Sequence, residues 1–491
     1  MAEKFKLTKK MFISLVVVII GSFMSSLSST IVTPALPSII STFDITAADA
    51  GWLTTVYLLV MGIMVPVTAY LITRFSTKLL FCISMVCFAV GTALAAISPA
   101  FWVLIAGRVV QSLGSGILVP LVTTMILWMF PKERRGGAMG TIGLIVGAAP
   151  IVGPALSGWM TDMWGWRSIF AAIIPIAVID IVLALFFLEN QTTPRKASLD
   201  KLSLLLSTVG FFAVLYAFGS VSNMGWTNPI VIICTIVGVI AVIAMFRRQT
   251  RLSEPFLDVR TLKSVPFLIG TILSMIVFAA LLFAGVLIPI FLQNVSGYSA
   301  TQSGLIQVPG AAVMAAMNPI SGIILDKKGP RGLSIAGFTF MVIGTIFFVV
   351  CTPQTHVALI CTMFSLRAVG IAFILMPLTT WGMNSLENKV LAHATAINNT
   401  LRQVAGSLGT AVFVTVYSIS TQNSMALGPI DAQMHGFHVA FLSSMILMIV
   451  GLVLCLIFVK DNRGKKKLPA GERAGALPDA DKTALPEGEK S

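Results

Sequence analysis

The chain has 491 residues, of which 56% are hydrophobic and 11% are charged, and its formal net charge is +14. Soluble globular proteins contain about 25% charged residues, so this composition excludes a soluble fold of this size. The apolar residues form long runs, and about 20 such residues cross a membrane as a helix. The runs lack the alternation of barrel strands, so the sequence predicts an all-α, polytopic membrane protein.

Fourteen apolar runs follow one another along the chain, and each predicts one membrane-spanning helix. The first run is too long for a secretory signal and has no small-residue cleavage site, so we interpret it as a retained helix. The predicted spans are residues 11–36, 50–72, 79–98, 101–128, 137–161, 167–188, 202–221, 228–246, 266–293, 302–325, 332–351, 357–384, 393–421 and 437–459.

The distribution of basic residues supports this count. With the N-terminus inside, 29 of the 33 Lys and Arg residues fall on one side of the membrane, and only Arg167 falls in an opposite loop. Arg108, Arg367 and Arg402 fall within spans. Because cytoplasmic loops are rich in Lys and Arg, we expect both termini to be cytoplasmic in a cell membrane. The positive charge therefore indicates orientation and attraction to lipid, and no nucleic-acid partner is expected.

A weak internal repeat divides the chain. Residues 65–78 and 318–331 align at an offset of 253, which pairs Pro66 with Pro319 and Lys78 with Arg331. Two parallel halves are typical of secondary transporters, with the substrate site between them. The predicted units are an N-terminal six-helix bundle (1–190), an inserted helix pair with its flanking loops (191–264), a C-terminal six-helix bundle (265–461) and a disordered cytoplasmic tail (462–491).

The fifth span is rich in small residues and prolines. Small residues at this spacing let another backbone approach closely, and each proline removes a backbone hydrogen bond, which favours a bend. Ordinary helix packing explains the glycines alone equally well, but the complete set favours a hinge or a seal. The residues are Gly143, Gly147, Pro150, Gly153, Pro154 and Gly158.

Two spans carry arginine together with an amide side chain. Span 4 contains Arg108 and Gln111, and span 13 contains Asn398 and Arg402. An ionised arginine at the bilayer centre costs about 2.5–3.5 kcal/mol on insertion scales, so it needs a polar partner or a wet cavity. A structural anchor or a packed helix face is the alternative. We expect a substrate cavity lined by two first-span hydroxyls and three of these side chains, namely Ser28, Thr30, Gln111, Asn398 and Arg402.

Asp180 is the sole acid placed deep within a span. Burial favours the protonated form of such a carboxyl group, whereas a nearby arginine favours the charged form. Asp180 is therefore the candidate for proton coupling, with Arg108 adjusting its proton affinity. A purely structural pair of carboxylate and arginine is the alternative.

The sequence offers no sign of a catalytic or cofactor site. It contains no GxxxxGK[ST] phosphate-binding loop, and His435 and His438 lack a third metal ligand. The spans contain no nucleophile–base pair. We expect no enzyme activity, no cofactor and no metal, so an ion gradient or the substrate's own gradient must drive transport.

Several motifs together resemble one family. The stretch Gly322–Arg331 is similar to the loop motif GxxxDxxGxR of the major facilitator superfamily, with Asp326 and Arg331 in their usual places. Arg108 matches that superfamily's span-4 motif, and Gly143–Gly158 matches its antiporter motif. The stretch Asn399–Gly409 resembles the fourteen-span drug:H+ antiporters of the QacA/EmrB type. The resemblance implies that Arg108 takes part in proton coupling, and we expect Gly322, Asp326, Gly329 and Arg331 to form a cytoplasmic gate.

Two departures from the family pattern concern the mechanism. The usual acid of the first span is Ser28 here, and the first-half loop has Thr73 in place of its aspartate. The stretches WLTTVYLLVMGIMVP and ITRFSTKLLF look closest to the LmrB-like lincomycin-resistance exporters of Gram-positive bacteria. In that subgroup we expect Asp180 to replace the missing acid.

The combined expectation is a monomeric, proton-coupled multidrug exporter in a bacterial cell membrane. It would move amphipathic drug-like molecules by alternating access. Two alternatives remain open at the level of sequence. One is a uniporter or importer with the same fold, and the other is a transporter-derived membrane receptor or regulator.

Overall fold

A computed structural model describes residues 9–45, 47–190, 200–252, 255, 257–298 and 300–460. The described residues are mostly helical and contain no strand. The long helices are α1 (Lys9–Thr30), α2 (Ala47–Arg74), α3 (Thr77–Ala96), α4 (Phe101–Met129), α5 (Arg135–Trp164), α6 (Ile173–Phe187), α7 (Lys201–Met224), α8 (Pro229–Gln249), α9 (Val265–Ile290), α10 (Ala300–Lys328), α11 (Pro330–Val350), α12 (Val357–Asn384), α13 (Leu391–Asn423) and α14 (Pro429–Phe458).

Each of these helices lies at the position of one predicted span, so the all-α polytopic prediction is confirmed. Within the described ranges, 12 segments are long and apolar enough to cross a membrane, or 13 if the bent α2 is counted. The bend in α2 is 50° and falls at Pro66, where the ring removes a backbone hydrogen bond. The remaining helix, α5, is 30 residues long, which exceeds the length a span needs. The predicted tail, 462–491, lies outside the described residues.

Glycines allow close packing inside each group of helices. In the first half, a Cβ atom on Gly91 of α3 would lie 2.2 Å from the backbone nitrogen of Gln111 in α4. In the second half, a Cβ atom on Gly370 of α12 would lie 2.5 Å from the carbonyl oxygen of Gly337 in α11. Without a hydrophobic force between helices in lipid, such close backbone approach is a main source of packing energy.

The two most extensive contacts between helices of the two halves involve different helix pairs. One joins α5 to α10, and the other joins α2 to α13. The helix α7 packs against both α2 and α13, and α8 packs against α7. The outer face of α8 exposes a row of β-branched side chains, as expected for contact with lipid. They are Ile232, Ile233, Ile236, Ile240 and Ile243.

Candidate functional site

The two ends of the helical assembly differ in charge. We call the end where α1 begins and α14 ends the basic end, because it carries the loops rich in Lys and Arg. The other end is called the opposite end. Three groups of polar residues lie between or at these ends: one around Arg108, one around Asp180, and one where α5 meets α10 at the basic end.

Arg108 lies fully buried toward the opposite end, where α4 meets α1 and α2. Its Nη1 donates to the carbonyl oxygen of Ser28 at 3.1 Å and to Oε1 of Gln111 at 2.6 Å. Its Nε donates to the carbonyl oxygen of Leu53 at 3.3 Å. The guanidinium carbon lies 4.1 Å from the centroid of the Tyr57 ring, a cation–π arrangement. The charged guanidinium of Arg108 is therefore stabilised by neutral oxygen acceptors and by the face of an aromatic ring.

Gln111 extends this polar group to α3. Its Nε2 donates to Oγ1 of Thr92 at 2.8 Å and to Oγ of Ser28 at 3.3 Å. The structure thus brings Ser28, Arg108 and Gln111 together, and all three are fully buried in this conformation. Thr30 is half-buried, and its Oγ1 donates to the carbonyl oxygen of Leu27, on its own helix, at 3.3 Å.

Asp180 lies in a separate place, on the face of α6 that packs against α1 and α3. Its side chain is 1% exposed, and neither carboxylate oxygen has a hydrogen-bond partner among the described residues. A Cβ atom on Gly21 would lie 3.3 Å from its Oδ2 and 2.9 Å from the ring of Phe81. The carboxyl group therefore faces a narrow, mainly apolar gap, where its charged form is poorly solvated.

The structure does not bring Asp180 and Arg108 together. Asp180 faces Gly21 on α1 and Arg108 faces Ser28, seven residues further along, which corresponds to about 10 Å of helix. Ion pairs among the described residues include Lys10–Glu189, Arg248–Asp200 and Lys389–Glu387, and neither Asp180 nor Arg108 takes part in one. Arg108 therefore does not contact Asp180 in this conformation, and the structure offers no direct contact by which it could change the proton affinity of Asp180.

The predicted second-half residues lie on α13. Asn398 is 2% exposed, and Arg402 is half-buried with its guanidinium carbon 4.8 Å from the ring centroid of Phe278 in α9. Within the described part of the chain, Asn398 Oδ1 and Arg402 Nε have no hydrogen-bond partner. Among the described residues, no hydrogen bond or ion pair joins these two side chains to the cluster around Arg108.

The residues predicted as a gate lie at the basic end, where α10 meets α5. Asp326 accepts hydrogen bonds from the backbone N–H groups of Gly136 at 3.0 Å and Gly137 at 2.8 Å. These N–H groups belong to the first turn of α5, where the helix dipole favours a negative charge. We call this arrangement the gate contact. Gly329 takes φ +88° just after α10, and Arg331 is exposed in the next turn.

Close helix approach makes the gate contact possible. A Cβ atom on Gly322 would lie 2.1 Å from the carbonyl oxygen of Gly136, so only glycine fits at that position. Further along α5, a Cβ atom on Gly143 would lie 2.9 Å from Cγ of Asn318 in α10. Gly153 instead faces α1, where its Cβ would lie 2.7 Å from Thr30 Oγ1. The antiporter-motif glycines thus pack α5 against both halves of the chain.

The remaining members of that motif are less informative. A Cβ atom on Gly158 would meet nothing within 4 Å. Gly147, Pro150 and Pro154 lie within α5, but their side-chain surroundings lie outside the described part. The predicted bend in α5 therefore stays a prediction.

A second group of polar residues at the basic end was not predicted from the sequence. Arg135 donates from Nη1 to Asn384 Oδ1 at 3.2 Å and from Nη2 to Asn388 Oδ1 at 3.0 Å. Lys132 Nζ donates to the carbonyl oxygen of Asn384 at 3.0 Å, and Trp128 Nε1 donates to that of Asn388 at 3.1 Å. Lys132 and Arg135 belong to the basic loop residues that indicate orientation, and their partners lie about 250 residues away, beyond the reach of a local sequence pattern.

No metal centre emerges from the described residues, since no three His, Cys, Asp or Glu side chains come together there. His435 Nδ1 lies 3.0 Å from Ser424 Oγ, and His438 Nε2 lies 2.8 Å from the carbonyl oxygen of Cys351. Both histidines therefore have local structural partners.

Known proteins resemble the chain over nearly its whole length. The profile described as Major Facilitator Superfamily matches residues 18–410. The MFS-type transporter YcnB of Bacillus subtilis is 40% identical over 454 residues, which cover 92% of this chain and 96% of that protein. The lincomycin resistance protein LmrB of Listeria innocua is 37% identical over 449 residues, which cover 90% and 95%.

Solved structures show the same fold. The crystal structure of the human organic anion transporter MFSD10 aligns with a TM-score of 0.64 at 13% identity, covering 91% of this chain and all of that one. At this identity the likeness concerns the fold alone.

Proposed function

Because the chain belongs to the Major Facilitator Superfamily, a family of membrane transporters, we propose that it exports amphipathic drug-like molecules in exchange for protons. The relatives named for lincomycin resistance and multidrug resistance support drug export. The observation that carries alternating access is the gate contact, in which a carboxylate of one half binds the first turn of a helix from the other half. Such a contact can form in one conformation and break in the other.

We place the basic end at the cytoplasm, with both termini there, in a bacterial cell membrane. The excess of Lys and Arg in its loops supports this orientation. The proposed units remain two six-helix bundles, 1–190 and 265–461, around an inserted pair, 191–264, in a monomer. With the gate contact formed at that end, this conformation is closed to the cytoplasm.

Asp180 is the proposed proton-binding group. Its carboxyl group lies in an apolar gap without a hydrogen-bond donor, so its charged form becomes favourable only when α1, α3 and α6 rearrange and admit water. A proton bound in one conformation and lost in the other supplies the difference in free energy that shifts the two populations. The packing of α6 on α1 would carry this coupling, because α1 also holds the Arg108 cluster.

Arg108 has a different proposed role. Its hydrogen bonds join α4 to α1 and α2 at the opposite end, so it would organise the surroundings of the substrate cavity. Ser28, Thr30, Gln111, Asn398 and Arg402 are the proposed cavity residues. The buried members would become accessible in another conformation.

The test uses purified protein in liposomes with an imposed pH gradient, lincomycin as substrate and a pH-sensitive dye. The wild-type protein should move protons when lincomycin is added, whereas Asp180→Asn should abolish proton movement and Asp180→Glu should restore part of it. Asp162→Asn, at the exposed outer end of α5, is the control and should behave as wild type. Lincomycin movement without protons in the wild-type protein would favour the uniporter. Equal proton movement in Asp180→Asn would refute the role of Asp180.

A further inference from the structure

The second half contains two buried arginines whose surroundings differ. Arg367 on α12 is enclosed by its own half: its Nη2 lies 3.5 Å from the carbonyl oxygen of Ala280, and its guanidinium carbon lies 5.5 Å from the Phe441 ring centroid. A Cβ atom on Gly344 would lie 2.4 Å from Cγ of Arg367. This arginine is 2% exposed, and its Nε also lacks a hydrogen-bond partner among the described residues.

Arg402 instead lies where the two halves meet. Its neighbours Leu401 and Val404 pack against an apolar cluster to which both halves contribute. A Cβ atom on Gly62 of α2 would lie 3.9 Å from the side chain of Gln403. The guanidinium itself lies over Phe278 of α9, in the second half. Arg402 is half-buried as a whole, although its Nε is buried.

Two hydrogen-bond donors at this position are unused. Within the described part of the chain, Arg402 Nε and Asn399 Nδ2 are buried and have no acceptor. Residues three apart on a helix share one face, so both donors lie on the same side of α13. Since leaving a buried polar group unpaired costs about 1–3 kcal/mol, and more for a charged one, this face is set up to receive an acceptor.

The second half itself supplies no counter-charge among its described spans. Asp326 lies near the end of α10, where it is bonded to α5, and Asp431 lies in the first turn of α14. The ion pairs of the described residues do not include Arg402. In this conformation, therefore, no described acid neutralises Arg402, and its Nε is left without an acceptor.

We propose that Arg402 and Asn399 bind the carboxylate, or a similar flat oxyanion head group, of an amphipathic substrate. A guanidinium binds a carboxylate through two parallel N–H···O bonds, and the Asn399 amide can donate a third. Phe278, beneath the guanidinium, offers an apolar surface to the substrate body. This inference rests on the proposed export function, and it assigns the substrate a chemical class.

The test compares two probes that differ in one group. Dansylglycine carries a carboxylate, whereas dansylglycinamide is its neutral amide, and the fluorescence of either reports binding. We would titrate both into the full-length protein in neutral-lipid nanodiscs without a pH gradient. The wild-type protein should bind dansylglycine at least about tenfold more tightly, since a hydrogen bond to a charged group contributes about 1.5–3 kcal/mol.

Substitutions locate the effect. Arg402→Gln should weaken dansylglycine binding at least about tenfold and change dansylglycinamide binding by less than about twofold. Arg402→Lys should restore part of the affinity, because it keeps the charge but not the fork of donors. Asn399→Ala, which leaves Arg402 in place, should give a smaller loss for the same probe. Arg251→Gln removes an exposed charge at the basic end and should leave both affinities unchanged.

Three results would contradict the proposed carboxylate site at Arg402 and Asn399. Equal binding of the two probes, equal losses for both in Arg402→Gln, or no binding of dansylglycine to the wild-type protein would overturn the inference. Size-exclusion profiles show whether Arg402→Gln folds, and if it does not, Arg402→Lys and Asn399→Ala decide. Because no proton gradient is present, selective binding can stand even if proton exchange fails, and proton-driven transport can stand without this selectivity.

Discussion

The two main contacts between the halves, α5 with α10 and α2 with α13, are built in different ways. Between α5 and α10, the contact is polar and close: Asp326 accepts two backbone hydrogen bonds, and Gly322 meets the carbonyl of Gly136. At the corresponding position of the first half stand Thr73 and Ala69. Thr73 Oγ1 donates to the carbonyl oxygen of Tyr70 at 2.7 Å, in its own helix. The repeat therefore gives the α5–α10 contact a gate that the α2–α13 contact lacks.

The inserted helix α7 covers the α2–α13 contact. A Cβ atom on Gly62 of α2 would lie 2.7 Å from Cδ1 of Leu215, and the rings of Trp52 and Tyr216 stack with centroids 6.0 Å apart. On the other side, Trp226, in the turn after α7, donates from Nε1 to Thr415 Oγ1 of α13 at 2.6 Å. One contact thus depends on a charge at a helix end, and the other on a third helix packed across it.

Of the substitutions proposed here, Gly322→Ala should have the largest effect, because it disrupts the α5–α10 contact. The new Cβ atom would overlap the carbonyl oxygen of Gly136, so α5 and α10 must separate at the basic end. We expect at least about a tenfold smaller closed population, a shift of about 1.4 kcal/mol, measured from distances between spin labels on the two halves. The control is Gly332→Ala, whose Cβ would meet nothing within 4 Å. An unchanged distance distribution would mean that the close approach is not needed for closure.

Asp326→Asn should act in the same direction with a smaller effect. The amide keeps one oxygen acceptor but loses the charge, and a hydrogen bond to a charged group contributes about 1.5–3 kcal/mol. We expect a closed population reduced about three- to tenfold in the same spin-label measurement. Glu189→Gln is the matched control, because it removes an exposed carboxylate at the same end. If both variants open the basic end equally, the gate contact has no special role.

Thr415→Val should affect the α2–α13 contact and leave the gate contact unchanged. The valine removes the acceptor of the Trp226 N–H, at a cost of about 1 kcal/mol. We expect a lower Tm in thermal unfolding and an unchanged spin-label distance at the basic end. Thr362→Val serves as control, because that exposed hydroxyl bonds only its own helix. A shift of the gate distances in Thr415→Val would show that α7 takes part in closure.

The smallest effect is expected at the start of α7. Arg248, on α8, donates to Asp200 at 2.6 and 3.0 Å, and this hydrogen bonding lowers the pKa of the Asp200 carboxyl from 3.8 to about 2. A lowered pKa in the folded state gives a stabilisation that is complete above pH 3.8 and is lost as the pH falls toward 2. Asp200→Asn should therefore lower Tm slightly at pH 7, and the difference from wild type should shrink below about pH 4.

A second aspartate near the same helices provides the control for Asp200→Asn. Asp258→Asn changes an aspartate in the loop that follows α8, whose Oδ1 accepts from the backbone N–H of Arg260 and not from an arginine side chain, and we expect no such pH dependence. A Tm difference for Asp200→Asn that stays constant from pH 7 to pH 2.5 would mean that the Arg248 pair does not stabilise α7 against α8.

Much of the fold followed from simple patterns along the chain. Apolar runs of about 20 residues placed every long helix, because lipid forces each backbone N–H and C=O to be satisfied within its own helix. The motif around Gly322 and Asp326 predicted a gate at the end of α10, but the sequence did not indicate that α5 would be its partner. Similarly, the partners of Arg135 are Asn384 and Asn388, about 250 residues away along the chain, so no local pattern indicated them.

The sequence by itself determined that the protein spans the membrane many times, that its charges favour one end, and which polar residues lie deep within spans. Only the tertiary structure decided how those residues are grouped. Asp180 and Arg108 face different turns of α1, and α7 lies across α2 and α13. The physical reason is that helix formation in lipid is a local requirement, whereas side-chain partners depend on which helix faces meet and how closely glycines let them approach.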